Sequence, residues 1–208
     1  MRTRVYVDAF NLFYGALRGT PYTWLDLDTL CRKLLQQANQ IDHIHDCTAQ
    51  VAARAGDQGQ PQRQQLYLRA LRTIPHLTIT LGHFLSTDVR MPPVTPTGAI
   101  GATVLVRKTE QKGSDVNLAT LLLKVGFQGL YDVAVVISND TDLVLPIAIV
   151  EADLGKSVGV LRAHRKPNFR LRQCASFYKP IRAGVLGASQ FAIALSDQQG
   201  SFTKPPSW

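Results

Sequence analysis

Four aspartates are the residues of this chain whose type and spacing are best suited to chemistry. Asp8 ends a short β-branched run, Asp115 begins an apolar sequence with helical spacing, and Asp140 and Asp142 directly follow the apolar run 132–138. Carboxylate oxygens are the ligands that a hard divalent cation such as Mg²⁺ prefers. A cation held in this way can activate water for attack on phosphorus and stabilise the leaving oxygen.

Each aspartate also has a purely structural explanation. Asp115 and Asp142 could simply cap helices, which is worth about 0.3–1 kcal/mol each. Asp8 is harder to explain in this way, because an acid at the end of a buried strand needs hydrogen-bond donors or a metal. A cluster of all four would resist joint ionisation without a cation, so a shared metal site is the stronger hypothesis.

The elements that must position these aspartates alternate between strands and helices. This order predicts an α/β fold, a three-layer α/β/α sandwich with a mainly parallel central sheet. The predicted strands lie near residues 4–8, 50–53, 77–84, 103–106, 132–138 and 157–161. The predicted helices begin after Asp26 or Asp28, at Pro61, at Ser114 as N-cap, and shortly before Pro146. Because parallel strands end at the edge where the following helices begin, the four aspartates are expected to converge there.

The domain organisation is predicted to be simple. A chain of 208 residues that is 45% hydrophobic fits one domain, which we assign to residues 1–182, with 183–208 as a tail across the surface. Residues 86–100, rich in Pro, Thr and Gly, are expected to form a long loop or irregular hairpin. No apolar run is long enough for a membrane span and no signal peptide is visible, so a cytoplasmic location without membrane partners is expected.

At the aspartates the sequence resembles the NYN domains, which are PIN-like ribonucleases. The resemblance extends over about residues 3–182 and is carried by three ordered blocks, VDAFNL at 7–12, EQKGSDVNLA at 110–119 and ISNDTDL at 137–143. It implies a PIN-like fold and a metal-dependent endoribonuclease, with Mg²⁺ or Mn²⁺ as cofactor. The implied catalytic and metal-binding residues are Asp8, Asp115, Asp140 and Asp142.

The same resemblance implies that Asn11 and Ser138 are supporting polar groups near the metal or phosphate. Two positions depart from the usual family pattern. Asn139 occupies a position that is more often Gly, which bears on how substrate approaches. Leu121 occupies a position where many relatives have an acidic or polar residue, so one additional ligand is absent here. Neither departure breaks the set of four acids.

The charge balance favours RNA as the partner. Lys and Arg number 23 against 15 Asp and Glu, a net charge of +8, which suits a polyanion. A basic run follows the last predicted strand and points toward the strand-end edge. Its candidate nucleic-acid-binding residues are Arg162, Arg165, Lys166 and Arg170, with His164 and Arg172 nearby. Lys112 is either a phosphate ligand or a solvated lysine.

The aromatic residues and cysteines leave other interpretations open. Tyr14, Tyr22 and Trp24 could stack on unpaired bases of single-stranded RNA, although core packing is expected for at least two of them. His43, His45 and Cys47 lack the fourth ligand of a zinc site, and three unpaired cysteines argue against disulfides.

Two competing functions remain. A phosphatase with an Asp-x-Asp nucleophile is disfavoured, because the second acidic position is Phe10. A non-catalytic RNA-binding module on the same fold is the stronger rival, and the intact set of four acids argues against it. Gly-rich phosphate loops are absent, so no nucleotide cofactor is expected. The sequence leaves open whether the chain forms a homo-oligomer.

Overall fold

The central feature of the fold is a seven-stranded sheet. The computed structural model describes residues 1–53, 56–93 and 103–206. The strand order is β4-β3-β2-β1-β5-β6-β7, and neighbouring strands are parallel except for the antiparallel pair β3 and β4. The seven strands are β1 (Arg2–Asp8), β2 (Gln40–Ala49), β3 (Leu77–Met91), β4 (Val104–Lys112), β5 (Val133–Ile137), β6 (Ser157–Arg162) and β7 (Phe177–Pro180).

Helices cover both faces of this sheet. They are α1 (Ala9–Leu12), α2 (Leu27–Leu34), α3 (Gln60–Leu71), α4 (Ser114–Phe127), α5 (Val144–Ala152), α6 (Phe169–Cys174) and α7 (Ala183–Gly187). The first helix continues into a π-helical turn, Phe13–Leu17, and a 3₁₀ turn, Thr141–Leu143, leads into α5. The predicted α/β sandwich with a mainly parallel sheet is confirmed.

Strand β1 shows how the sheet divides the core. Val5 and Val7 pack on one face with residues of α1, α2, α3 and α7. Tyr6 packs on the other face with residues of α4, α5 and α6. Side chains alternate along a strand, so Asp8 lies on the same face as Tyr6. The first aspartate is thereby directed toward the layer that contains α4.

The strand predicted near residues 50–53 is wrong, because the second strand ends at Ala49. Strand β2 contains His43, His45 and Asp46. Because these residues are polar, the segment lacks the apolar pattern by which a buried strand is predicted from sequence. Its stability comes from parallel pairing with β1 on one side and β3 on the other, and sequence-local patterns do not contain that information.

Of the two alternatives expected for residues 86–100, a long loop or an irregular hairpin, residues 86–91 form a hairpin, and its pairing is regular. They continue β3 and pair regularly with β4, from His83 opposite Lys112 to Met91 opposite Val104. Two long paired strands therefore extend from the edge of the sheet as a hairpin. Residues 94–100 of the predicted loop lie outside the described residues.

Ser114 is the first residue of α4 and not its N-cap, as the sequence had suggested. Gly113 is the N-cap, with a φ of 90° that favours glycine. The Ser114 hydroxyl accepts a hydrogen bond from Gln111 and donates to Asp115. The residue expected to cap the helix is thus used to orient an acidic side chain.

Residues 183–206 pack partly against α2 and α3. Beyond α7 they form a small hairpin of β8 (Ala194–Asp197) and β9 (Gly200–Thr203). The indole Nε1 of Trp24 donates to the carbonyl oxygen of Ala192 over 2.9 Å, and Arg69 forms an ion pair with Asp197. In the part of the chain that the structure describes, no helix is long and apolar enough to cross a membrane.

Gly82 lies close to the backbone at the start of the helix that carries Asp115. A Cβ atom at this position would lie 2.4 Å from the carbonyl oxygen of Lys112 and 3.0 Å from the backbone nitrogen of Ser114. Gly82→Ala must therefore displace backbone, and we expect it to lower the free energy of unfolding by about 1–3 kcal/mol. Urea unfolding would measure this loss. Gly184→Ala is the control, because no atom lies within 4 Å of its added Cβ, and equal stabilities of the two variants would contradict the proposed contact.

Candidate metal centre

Three of the four predicted aspartates meet at the carboxyl ends of the central strands. Asp8 ends β1, Asp115 lies in the first turn of α4, and Asp140 follows β5. One carboxylate oxygen from each lies within 4.8 Å of the other two. Asp142 is outside this group and its side chain is exposed, but its backbone N–H donates to Oδ1 of Asp140 over 3.0 Å.

Ser138 connects two of these acids. Its hydroxyl donates to Oδ2 of Asp8 over 2.9 Å and accepts from the backbone N–H of Asp140 over 3.1 Å. The second oxygen of Asp8 accepts from the backbone N–H of Asn11 over 3.0 Å. Since Asp8 is only 4% exposed, these two donors replace the water that the carboxylate loses on folding.

Asn139 holds the turn that carries Asp140. Its backbone N–H donates to the Asn11 side chain over 2.9 Å, and its side-chain oxygen accepts from the Tyr178 hydroxyl over 2.9 Å. Its amide nitrogen donates to the carbonyl oxygen of Lys166 over 3.3 Å, and its own carbonyl accepts from Asn168 over 3.0 Å. Glycine, the residue that the family resemblance implies here, could make the two backbone bonds but not the two side-chain bonds, and Asn139 does not adopt a positive φ. Asn139 in place of glycine therefore ties the turn to the segments that contain Lys166 and Tyr178.

The electrostatics of the cluster favour a bound cation. The pKa of Asp8 is raised to about 6, mainly by burial and also by the charges of Asp115 and Asp140, against the lowering effect of the hydrogen bonds from Asn11 and Ser138. The pKa of Asp115 is also raised, first by burial and then by Asp140. None of the main causes of either shift is a lysine or an arginine. Three crowded carboxylates without a cationic side chain fit the oxygen-ligand set of Mg²⁺ or Mn²⁺.

The basic residues predicted to bind nucleic acid differ in how they are used. Arg162 is half-buried, and its guanidinium donates to the carbonyl oxygens of His164 and Arg165 over 2.5 and 2.7 Å. Its charge therefore stabilises the loop after β6. Arg165, Lys166 and Arg170 are exposed and remain candidates for phosphate contact.

Lys112 lies at the end of β4, two residues before α4 begins. It is exposed, and its ammonium nitrogen is 3.5 Å from the carboxylate of Glu110. The partner is itself on the surface, so this pairing is weak. Lys112 is therefore available at the same edge of the sheet as the acids.

The aromatic and zinc-site candidates are mostly structural. Trp24 is fully buried, whereas Tyr22 packs partly buried against the core, and Tyr14 is 45% exposed. His45 stacks on Tyr6 at 5.0 Å between ring centroids, and His43 bonds to the hydroxyl of Thr78. Tyr14 is therefore the member of the aromatic set that is accessible for base stacking.

Asn168 and Tyr178 are supporting residues that sequence reasoning did not single out. The Tyr178 hydroxyl donates to Asn139 and accepts from the backbone N–H of Asn168, over 2.9 and 2.8 Å. No local spacing signal identifies them, because their role depends on the pairing of β6 with β7.

Comparison with known families agrees with this geometry. The family model described as the NYN domain matches residues 2–181. The chain belongs to this family. The match spans the three sequence blocks at 7–12, 110–119 and 137–143 and all seven strands of the central sheet, and the family carries PIN-like nucleases.

Two individual proteins are also similar. The chain is similar to 6-hydroxy-3-succinoylpyridine 3-monooxygenase HspA of Pseudomonas putida (strain DSM 28022 / S16), with 31% identity over 238 aligned residues. The alignment covers 100% of this chain and 75% of that protein. A crystal structure of a protein of unknown function from Vibrio parahaemolyticus RIMD 2210633 has a TM-score of 0.56 and 16% identity, covering 88% of this chain and 93% of that one. The second similarity shows the fold alone.

The raised pKa of Asp8 makes the stability of the metal-free protein depend on pH. The folded state holds this proton up to about pH 6, above the ordinary value of 3.8, so the folded state binds more protons than the unfolded state between these values. Stability should therefore fall as pH rises from about 4 to about 7, by at most about 3 kcal/mol from Asp8. Urea unfolding in EDTA across this range would measure it.

Asp8→Asn should remove part of this loss. Some loss of stability with rising pH should remain in this variant because of Asp46, whose pKa is raised to about 7 by burial and by Asp8. Adding Mg²⁺ should stabilise wild type more than Asp8→Asn at pH 7, because the ion binds the folded state. Asp153→Asn, an exposed change of the same type, should behave as wild type. Identical pH dependence in wild type and Asp8→Asn would contradict the assigned electrostatics.

Proposed function

We propose that this member of the NYN domain family is a divalent-metal-dependent endoribonuclease that hydrolyses phosphodiester bonds of single-stranded RNA. The observation that carries the proposal is the approach of Asp8, Asp115 and Asp140, whose carboxylate oxygens lie within 4.8 Å of one another. Family membership supports nuclease chemistry at the level of the family. The RNA substrate, the metal dependence and a cytoplasmic location are parts of the proposal.

The residues of the cluster have distinct proposed roles. Asp8, Asp115 and Asp140 would hold Mg²⁺ or Mn²⁺, and Asp142, exposed beside them, is the proposed fourth acid. A bound ion would activate water and stabilise the charge that develops on the leaving oxygen. Ser138 orients Asp8 relative to Asp140 through its two hydrogen bonds. Positioning of this kind keeps the ligands in place without reorganisation during the reaction.

The RNA strand is proposed to cross the sheet edge beside the acids. Arg165 and Lys166 lie on the loop that Asn139 ties to the acidic turn, through its bond to the Lys166 carbonyl oxygen. Arg170 lies in the first turn of α6, which begins after Asn168. Phosphate contacts from such residues supply affinity without sequence preference. Tyr14 is the accessible aromatic ring for stacking a base.

A second candidate function is oxygenation of a hydroxypyridine compound. It is favoured by the 31% identity, over the whole of this chain, to a protein named 6-hydroxy-3-succinoylpyridine 3-monooxygenase. Incubation of the purified chain with 6-hydroxy-3-succinoylpyridine, oxygen and a reduced nicotinamide, followed by mass spectrometry, tests it directly. An oxygenated product without RNA cleavage would select this function over the nuclease.

Metal-dependent cleavage is the decisive test of the nuclease proposal. Mn²⁺ or Mg²⁺ should support cleavage of single-stranded RNA, and EDTA should stop it. Asp8→Asn and Asp140→Asn should each lower the rate by at least about a hundredfold, because each removes charge that fixes the ion and its water. The measurement is the initial rate on end-labelled RNA resolved on denaturing gels.

Binding measurements make this test specific. Asn keeps the size and polarity of Asp, so both variants should still bind RNA, and Asp153→Asn should cleave at the wild-type rate. Wild-type protein that binds RNA and leaves it intact with either ion, across several substrates and pH values, would reject the nuclease in favour of a non-catalytic binding module.

The salt dependence of RNA binding should locate the RNA path. The affinity for single-stranded RNA should fall steeply with salt, and changing Arg165 and Lys166 to Ala should reduce the slope by up to about 1.4, or about 0.7 for each lost phosphate contact. Arg162 is left unchanged, because it holds the loop internally. Fluorescence anisotropy at several salt concentrations measures the slope.

A matched double variant controls for the loss of charge. Lys33 lies near the end of α2 and Arg72 follows α3, and both precede the start of a strand. They therefore lie at the sheet edge opposite the acids. Changing both to Ala should leave the slope nearly unchanged, whereas an equal loss in the two double variants would move the RNA path away from the loop after β6.

A further inference from the structure

A cavity of about 130 Å³ lies on the face of the sheet opposite the acidic cluster. It is enclosed between β2, α3 and the segment that follows Asp8 along the chain. Cys47 packs on the same face of the sheet as α4, so its neighbour Asp46 faces the opposite layer and lines this cavity. The cavity is therefore separate from the proposed metal centre.

The walls of the cavity are mainly aromatic and aliphatic. Phe10, Phe13 and Tyr67 line it together with leucines of the surrounding helices. Gln64 forms a fixed part of the wall, because its amide accepts from the backbone of Val51 and donates to the backbone of Ala49, both over 2.8 Å. An apolar cavity of about 150 Å³ binds benzene, and this cavity, at about 130 Å³ and open at one side, is of similar size. These walls thus suit a single planar ring.

Two polar groups in the lining are buried without a partner in the described part of the chain, the Oγ1 of Thr23 and the Nε of Arg63. Buried polar groups are usually paired. Asp46 adds a carboxylate that is only 2% exposed, and its pKa is raised to about 7 by burial and by Asp8. These three groups together favour a polar ligand in the cavity.

The cavity reaches the surface at one side. Among its lining residues, Tyr14 is 45% exposed and the Asp57 side chain is 44% exposed. Asp57 also pairs with the Arg63 guanidinium, which leaves the buried Nε as the unused donor. A ligand entering from the exposed side would reach the carboxyl group of Asp46 in the buried part of the cavity.

We propose that this cavity binds a single six-membered heteroaromatic ring whose edge carries adjacent N–H donors, and that Asp46 accepts both. A ring with an amino group beside a protonated ring nitrogen presents two parallel donors, which match the two oxygens of a carboxylate. Phe10 and Tyr67 would enclose the faces of the ring, and Thr23 and Arg63 would contact a polar substituent. Such a ligand would supply hydrogen-bond donors to the Asp46 carboxylate and would also fill the cavity.

Binding of 2-aminopyridine, measured by isothermal titration calorimetry without metal or RNA, tests the proposal independently of nuclease activity. Toluene, which has the same ring size and no donor, should bind wild type at least about tenfold more weakly. Asp46→Asn should weaken 2-aminopyridine by at least about tenfold and leave toluene unchanged. Asp153→Asn should bind both compounds as wild type does.

Leu17→Phe gives a second variant that does not touch the carboxyl group. Leu17 is buried and lines the cavity, so the larger side chain should fill it and weaken both compounds. Circular dichroism would verify that each variant folds. No detectable binding of 2-aminopyridine to wild type at millimolar concentration, or equal binding to wild type and to the folded variants, would overturn the proposal.

Discussion

Burial of the Asp8 carboxylate beside two other acids is the constraint on which the rest of the site depends. Asp8 is nearly inaccessible to water and faces Asp115 and Asp140 without a cationic side chain among the described groups that shift its pKa. Without an ion this arrangement lowers stability as pH rises. Hydrogen bonds from Ser138 and Asn11 partly offset this loss of stability, and they hold the Asp8 oxygens in fixed directions.

The parallel sheet brings the acids together, but backbone contacts determine how closely they approach. Asp8 and Asp140 follow neighbouring parallel strands, so their separation is set by the pairing of β1 with β5. Asp115 comes from a helix that follows the antiparallel strand β4, and its position depends on the contact between Gly82 and the backbone before α4. A glycine far from the acids in sequence therefore fixes the third side of the cluster.

The sequence predicted the layers of the fold and a convergence of four acids, of which three lie together, because both depend on local patterns. Apolar runs that end in Asp identify buried strands and their carboxyl ends. The strand β2 was misplaced because Asp46 and two histidines lie within it, and only its neighbours β1 and β3 make it a strand. The internal role of Arg162 and the partners of Asn139 were not predictable either, because they arise from contacts between segments that no spacing rule connects.

The hydrogen bonds of Asn139 join the negative and positive parts of the proposed RNA site. The turn that carries Asp140 is bonded through Asn139 to the Lys166 carbonyl oxygen and to Asn168, which caps the helix containing Arg170. Arg162 closes the same loop from inside by holding two of its carbonyl oxygens. The exposed cations are thus fixed relative to the acids. A phosphate backbone attracted by the cations would be held at a defined distance from the carboxylates, which is what positioning catalysis requires.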